Sequence, residues 1–159
     1  MKKIPLPDGL CTLVDNEDYP RVKKYTWFTS KGKYGPSCVR TSKKTHGIQK
    51  TLLLHRVIMN AKHEEVVDHI NHNALDNRKM NLRTCSRSEN SRNMKLRIHS
   101  SRFKGVSWHE RANKWVAYIW LFGKGTKYLG LFSNEIEAGK AYNCAALKYF
   151  GEFGYLNPV

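Results

Sequence analysis

The sequence predicts an α+β protein: a β-rich amino-terminal region, a central strand–loop–strand–helix unit, and a carboxy-terminal three-stranded antiparallel sheet packed on one helix. Three observations carry that expectation. Residues 1–53 hold short apolar runs set between Gly, Pro and Ser. Residues 66–93 pass from a β-branched pair through a polar loop to a second strand expected around Asn81–Arg83, then to a capping-box helix start at Ser86 and Glu89. Residues 106–131 alternate apolar and polar side chains in three stretches before helical spacing sets in. A length of 159 residues suits one ordinary domain or two small ones and excludes a large multidomain enzyme.

In the first region, 1–53, strands are expected at 11–14, 25–28, 36–41 and 48–54. Charge singles this region out. From Tyr19 to His63 there is no Asp or Glu, while eleven Lys and Arg residues occur, Lys43, Lys44 and Arg56 among them. Cations without carboxylate partners repel one another unless something anionic lies alongside, so this stretch is expected to contact DNA. The whole chain agrees: 28 Lys and Arg against 13 Asp and Glu give a net charge of +15. Hydrophobic residues at 40% exclude a disordered basic tail, because that much apolar surface offsets the entropy of folding.

No apolar run approaches the roughly 18 residues of a membrane span. The start is broken by Pro5, Pro7, Asp8 and Gly9, which leaves no hydrophobic region for a signal peptide. An intracellular protein is expected, in the cytoplasm of a bacterial or phage-infected cell. Cys11, Cys38, Cys85 and Cys144 form no C-x-x-C pair and are expected as buried or idle thiols.

The central unit, 54–97, carries the chemistry. Adjacent Asp68 and His69 follow a short β-branched strand; Asn81 comes twelve residues after His69, and Asn90 nine after that. Phosphodiester hydrolysis needs such a set: a hard oxygen ligand for a divalent cation, a second oxygen from another element, and an imidazole that is neutral near pH 7 and can take a proton from water. Arg83 and Arg87 flank the set and are expected on phosphates. The wording D-H-I-N-H, L-D-N-R and N-L-R resembles the HNH nucleases, in particular the homing endonucleases of phages and introns, whose catalytic unit is the ββα-metal fold. The resemblance implies His69 as general base, Asp68 and Asn90 as ligands of one divalent metal, and Asn81 as the residue that orients His69 or its loop. Asn93, three residues after Asn90, is the rival for the second ligand. Asn stands at the last position of the motif instead of His, and oxygen ligands suit Mg²⁺ or Mn²⁺ better than zinc.

A polar, basic stretch follows, with a linker expected at 98–102. Beyond it, in 103–159, Val106 and Trp108, then Trp115, Ala117 and Ile119, then Leu129 and Leu131, alternate with polar or aromatic neighbours. Asn134 and Glu137 start a helix whose stripe is Ala138, Ala141, Tyr142, Ala145 and Tyr149. The parts F-K-G-V, K-W-V-A-Y-I, L-G-L-F and E-A-G-K-A-Y-N-C-A-A-L-K-Y-F-G resemble the Apetala-two and ethylene-response DNA-binding domain of plants, also found fused to HNH nucleases of phage and mobile-element origin. In that family the sheet face away from the helix enters the major groove, which here implies Lys104, Ser107, His109, Tyr118, Trp120 and Tyr128 as contacts, with Thr126 or Lys127 nearby. Ala117, Ile119, Leu129 and Leu131 are expected under the helix, with Trp108 and Trp115. The plant pattern has arginines where Ser107, His109 and Trp120 stand and glutamate at Tyr118, so its target sequence does not carry over.

Together these point to a site-directed, metal-dependent DNA endonuclease of the homing type that nicks double-stranded DNA or cuts both strands, with a monomer expected ahead of a dimer, the dimerising cutter kept open, and no obligate protein partner. The alternatives are a non-catalytic DNA-binding regulator with a decayed nuclease core and an RNA-binding accessory protein.

Overall fold

Short strands with one buried face need a partner layer, and the computed structural model, which describes residues 1–32, 35–45, 47–94 and 100–159, supplies it in two units, Met1–Ser86 and Arg87–Val159. Both antiparallel sheets and helices are present, so the chain is α+β.

In the first unit, β1 (Lys2–Pro5) and β2 (Cys11–Val14) form a hairpin, followed by α1 (Tyr19–Val22). An antiparallel meander of β3 (Phe28–Gly32), β4 (Gly35–Thr45) and β5 (Ile48–Leu53) leads into α2 (Leu54–Met59), then the pair β6 (Val66–His69) and β7 (Leu82–Cys85). One core joins them: Ile4, Val14, Val22, Trp27, Val39, Leu54, Ile58, Val67 and Leu82 are all buried together. The region expected as 1–53 therefore shares its core with the strand that carries Asp68 and His69.

Three elements differ from the sequence expectation. The expected strand at 25–28 begins only at Phe28, because Trp27 turns into the core and its Nε1 donates to the Val22 carbonyl at 3.0 Å. The run expected as strand through Leu54 breaks into α2, which buries Leu54, His55 and Ile58 at helical spacing. The hairpin strand β1 is not evident in the sequence because Pro5 and Pro7 read as breakers; β1 lies in a two-stranded sheet and is therefore an edge strand, where proline is tolerated.

The second unit opens with α3 (Arg87–Asn93) and continues with β8 (Val106–His109), β9 (Lys114–Leu121) and β10 (Gly125–Phe132), joined in the order β10-β9-β8, and α4 (Glu135–Phe150). The expected linker starts on residues outside the described ones; Ser101 is buried, and its hydroxyl donates to Glu135 at 2.8 Å. Asn134 caps α4, its Oδ1 accepting from the Ile136 N–H at 2.7 Å. Small residues let α4 lie close to the sheet: a Cβ on Gly139 would come within 3.0 Å of the Phe103 ring. Phe103, Val106, Ala117, Ile119, Ala138, Tyr142, Ala145 and Ala146 form the buried interior, with Trp115, Leu129 and Phe132 packed against it.

A bulge corrects one assignment. The register slips between Tyr128 and Gly130, where Gly130 has φ 139°, so Leu131 pairs with Val116 and points away from α4, 40% exposed. Phe132 takes the place expected for it. All four thiols are free, Cys11 and Cys144 exposed and Cys38 and Cys85 half-buried. Among the described residues no helix is long and apolar enough to cross a membrane.

The two faces of β9 make opposite demands. Ile119→Ala is expected to cost about 2–5 kcal/mol of stability, the range for truncating a packed core residue. Trp120→Ala, on a side chain 59% exposed, should leave the urea midpoint of the full chain nearly unchanged. Equal destabilisation by both would show the sheet to be inside out.

Candidate active site

β6 carries two polar residues at its end because β7 lies opposite to receive them. Asp68 faces Arg83 in register, and the guanidinium donates to Asp68 Oδ2 from Nη2 at 2.9 Å and from Nε at 3.2 Å, both side chains nearly buried. Arg83, expected on a phosphate, is thus the partner of the expected metal ligand, since a carboxylate at this depth needs a countercharge.

His69 is held by a residue that sequence reasoning passed over. Its Nε2 lies 3.3 Å from Oδ1 of Asn77, which is fully buried. The Asn77 amide donates to Thr12 Oγ1 at 2.9 Å and to the Ala74 carbonyl at 3.0 Å, and these bonds fix which end of the amide faces the ring. An oxygen there accepts the Nε2 proton and selects the tautomer whose basic lone pair is on Nδ1. Burial holds the His69 pKa below the ordinary histidine value, outweighing the Asn77 bond and the Asp68 and Asp76 charges that pull it up. The ring is neutral at pH 7, as proton acceptance requires.

Asn81 works on the loop. Its Oδ1 accepts from the Asn71 N–H at 3.0 Å and its Nδ2 donates to the Asp76 carbonyl at 2.8 Å. Asn71 and Asn73 each close a turn onto the N–H two residues on, and β2 clasps the loop's end through Leu13 and the backbone of Leu75 and Asn77. Asp76 accepts two bonds from Arg78 at 2.7 Å, which lower its pKa. The L-D-N-R wording contained the signal: a Asp-Asn pair after a loop rich in Asn has more amides than turns require.

His55 of α2 packs edge-on against His69, ring centroids 5.1 Å apart. Burial, then the charges of His69 and Arg56, push its pKa down to about 4, and its Nδ1 has no hydrogen-bond partner among the described residues. The folded state refuses a proton that the unfolded chain accepts below about pH 6.5. This group's share of stability is present above that pH and lost as pH falls toward 4, by up to roughly 3 kcal/mol. The urea midpoint should fall between pH 7 and pH 4.5, and His55→Phe should flatten the fall.

Among the described residues no group of three or more His, Cys, Asp or Glu side chains could cage a metal. Asp68 precedes His69 on β6, and its Oδ2 already accepts from Arg83. Asn90, half-buried, and Asn93, buried, lie on α3 in the second unit.

The expected DNA contacts divide. Lys43 and Lys44 are exposed on β4, with Lys43 directly opposite Lys50, a like-charge pair that destabilises a bare sheet. Arg56 is turned to its own loop, donating to the carbonyls of Glu65, Lys62 and His63. Lys104 points inward: its Nζ donates to the Arg92 and Met94 carbonyls, both at 2.7 Å, and burial lowers its pKa to about 8. The His109 Nδ1 accepts from the Ala112 N–H at 3.1 Å, and Lys127 Nζ donates to the Tyr149 hydroxyl at 2.9 Å. Tyr118, Trp120 and Tyr128 share the face away from α4 with Ser107, the two tyrosine rings 5.8 Å apart. Arg87 is exposed on α3.

Comparison with known proteins reaches the same two regions. Residues 52–92 match the HNH endonuclease family profile. Over 151 residues, 95% of this chain, the sequence is 31% identical to an uncharacterized HNH endonuclease of Acanthamoeba polyphaga mimivirus, 76% of which is covered. Over 59 residues, 36% of the chain, it is 42% identical to APETALA2-like protein 2 of Oryza sativa subsp. indica. Over 63 residues, 40% of the chain, it is 40% identical to an AP2-like ethylene-responsive transcription factor of Arabidopsis thaliana. The chain covers 13% of each of these two plant proteins.

Proposed function

The chain belongs to the HNH endonuclease family, and on that premise we propose that it is a site-directed, metal-dependent DNA endonuclease of the homing type in which His69 is the general base. The observation that supports this reading is the hydrogen bond from His69 Nε2 to the buried Asn77 Oδ1, next to Asp68 on the same strand. With Nε2 protonated, Nδ1 takes the proton of the attacking water. The new P–O bond forms on the scissile phosphate, and the P–O3′ bond breaks with the 3′ oxygen leaving. Asn81 holds the loop between β6 and β7 so that the imidazole does not drift from this orientation. Asp68 would hold a divalent cation, Mg²⁺ by its donor chemistry, with Asn90 the second oxygen ligand that the family resemblance implies. Such a cation supplies Lewis-acid stabilisation of charge on the phosphate and the leaving oxygen.

Affinity comes from other residues. The Lys43 and Lys50 pair on the β4–β5 ribbon, the exposed Trp120 and Tyr128 face, and the +15 charge favour double-stranded DNA, with binding that weakens as salt rises because phosphate contacts release counterions. The test is incubation of the full chain with duplex DNA, single strands and structured RNA in Mg²⁺, with the ends mapped by sequencing. Defined ends on duplex DNA support the proposal. Tight binding without cleavage supports the decayed-nuclease alternative, and cleavage confined to RNA removes the DNA reading.

A further inference from the structure

Helix α3 is two-sided. Glu89, Asn90 and Asn93 fall on one side at 100° per residue, and Arg87, Ser88, Ser91 and Arg92 fall on the other, where they line a pocket of about 670 Å³ within the second unit. That volume lies within the roughly 300–1,000 Å³ of small-ligand sites. Its other walls are aromatic: Tyr118 and Trp120 from β9, then Phe122, with Tyr142 and Phe150 from α4. Trp120 and Phe122 are 59% and 74% exposed, and their rings meet edge-on at 5.9 Å. Two large apolar rings left this open on one short stretch mark a surface that something else covers.

The wall packs Tyr142 directly on backbone. Gly105 has φ +74°, and a Cβ there would lie 2.2 Å from the Tyr142 ring, so bare backbone is required at that point. The cations around the pocket have different duties. Lys104 spends its ammonium on the Arg92 and Met94 carbonyls and so fastens the end of α3, and the Arg92 guanidinium sits 5.2 Å over the Phe150 ring. Arg87 is exposed and makes no ion pair among the described residues.

An occupant must therefore bring a flat apolar face and a negative charge, with a polar edge for the Ser88 hydroxyl, since the Ser91 hydroxyl already donates to the Arg87 carbonyl at 3.0 Å. We infer that this pocket receives one unpaired nucleotide of a DNA strand, its base against Trp120 and Phe122 and its phosphate toward Arg87. A base within a duplex has both faces covered by its neighbours; only an unstacked base can offer one to an aromatic ring. The inference rests on the DNA-binding reading above and adds that the protein prefers DNA that is locally opened.

The experiment measures binding of the full chain, by fluorescence anisotropy, to a fully paired duplex and to the same duplex carrying one unpaired 2-aminopurine. The unpaired site is expected to bind about tenfold tighter, the scale of one base–aromatic stack, with quenching of the 2-aminopurine emission. Phe122→Ala, an exposed position whose loss should not move the melting temperature, is expected to erase the preference and the quenching while paired-duplex affinity holds. Equal affinity of the unaltered chain for the two duplexes overturns the pocket and leaves DNA binding standing. A preference that survives Phe122→Ala also overturns it, and failure to bind either duplex overturns the DNA reading as well.

Discussion

His69→Ala is expected to slow cleavage of duplex DNA by about 10²–10⁴-fold, the usual contribution of a positioned general base. Affinity should change little, because the cations that meet phosphates lie elsewhere. The loss should appear in single-turnover cleavage at saturating protein, which isolates the chemical step from binding and release. The geometry gives the effect its size. Asn77 fixes the tautomer, the Asn81-braced loop fixes the strand end, and burial keeps the ring neutral, so the imidazole arrives oriented and unprotonated. Two neighbouring rings could stand in: His55, edge-on against His69, whose burial and pKa of about 4 make it a poor base near pH 7, and His72, whose backbone N–H donates to the His69 carbonyl at 3.0 Å. An unchanged rate in the alanine variant would move the base away from His69 altogether.

How much of this could be read from the sequence depended on whether the deciding contact was local. The β6–β7 pair and the helix after it follow from a β-branched run and a capping box, and three alternating stretches mark β8, β9 and β10, with the faces of β9. Where a long-range contact decided, the pattern misled. Trp27 looked like a strand residue until its indole found the Val22 carbonyl. Leu54 closed an apolar run that hid a helix turn, and Leu131 changed sides because Gly130 made a bulge that periodicity does not register. The site divided the same way. Asp68 and His69 declared themselves by spacing. Asn77 did not, because its role needs Thr12, 65 positions away in the chain, to orient its amide. Arg83 and Lys104 counted as free cations in a charge tally, yet one is bound to a carboxylate and the other to two carbonyls. Net charge foretells a polyanionic partner and cannot say which cations are spent inside the fold.

Chelation by EDTA is expected to reduce cleavage to background, with restoration by added Mg²⁺, and substitution of Asp68 should do the same without rescue. The choice of substitution matters because Asp68 also neutralises Arg83 across the β6–β7 ladder. Asp68→Ala removes a carboxylate partner from that nearly buried guanidinium, a loss of about 3–5 kcal/mol for one partner of a buried pair. An inactive Asp68→Ala protein could therefore be an unfolded one. Asp68→Asn keeps the shape and an accepting oxygen toward Arg83 and removes the charge a cation needs, so its folding loss should be smaller while its cleavage loss remains. Thermal melting of both variants, read beside duplex binding and single-turnover cleavage, separates the two roles of the carboxylate. If Asp68→Asn cuts at the normal rate, or if the unaltered chain cuts fully in EDTA, the reaction does not depend on a metal held by Asp68.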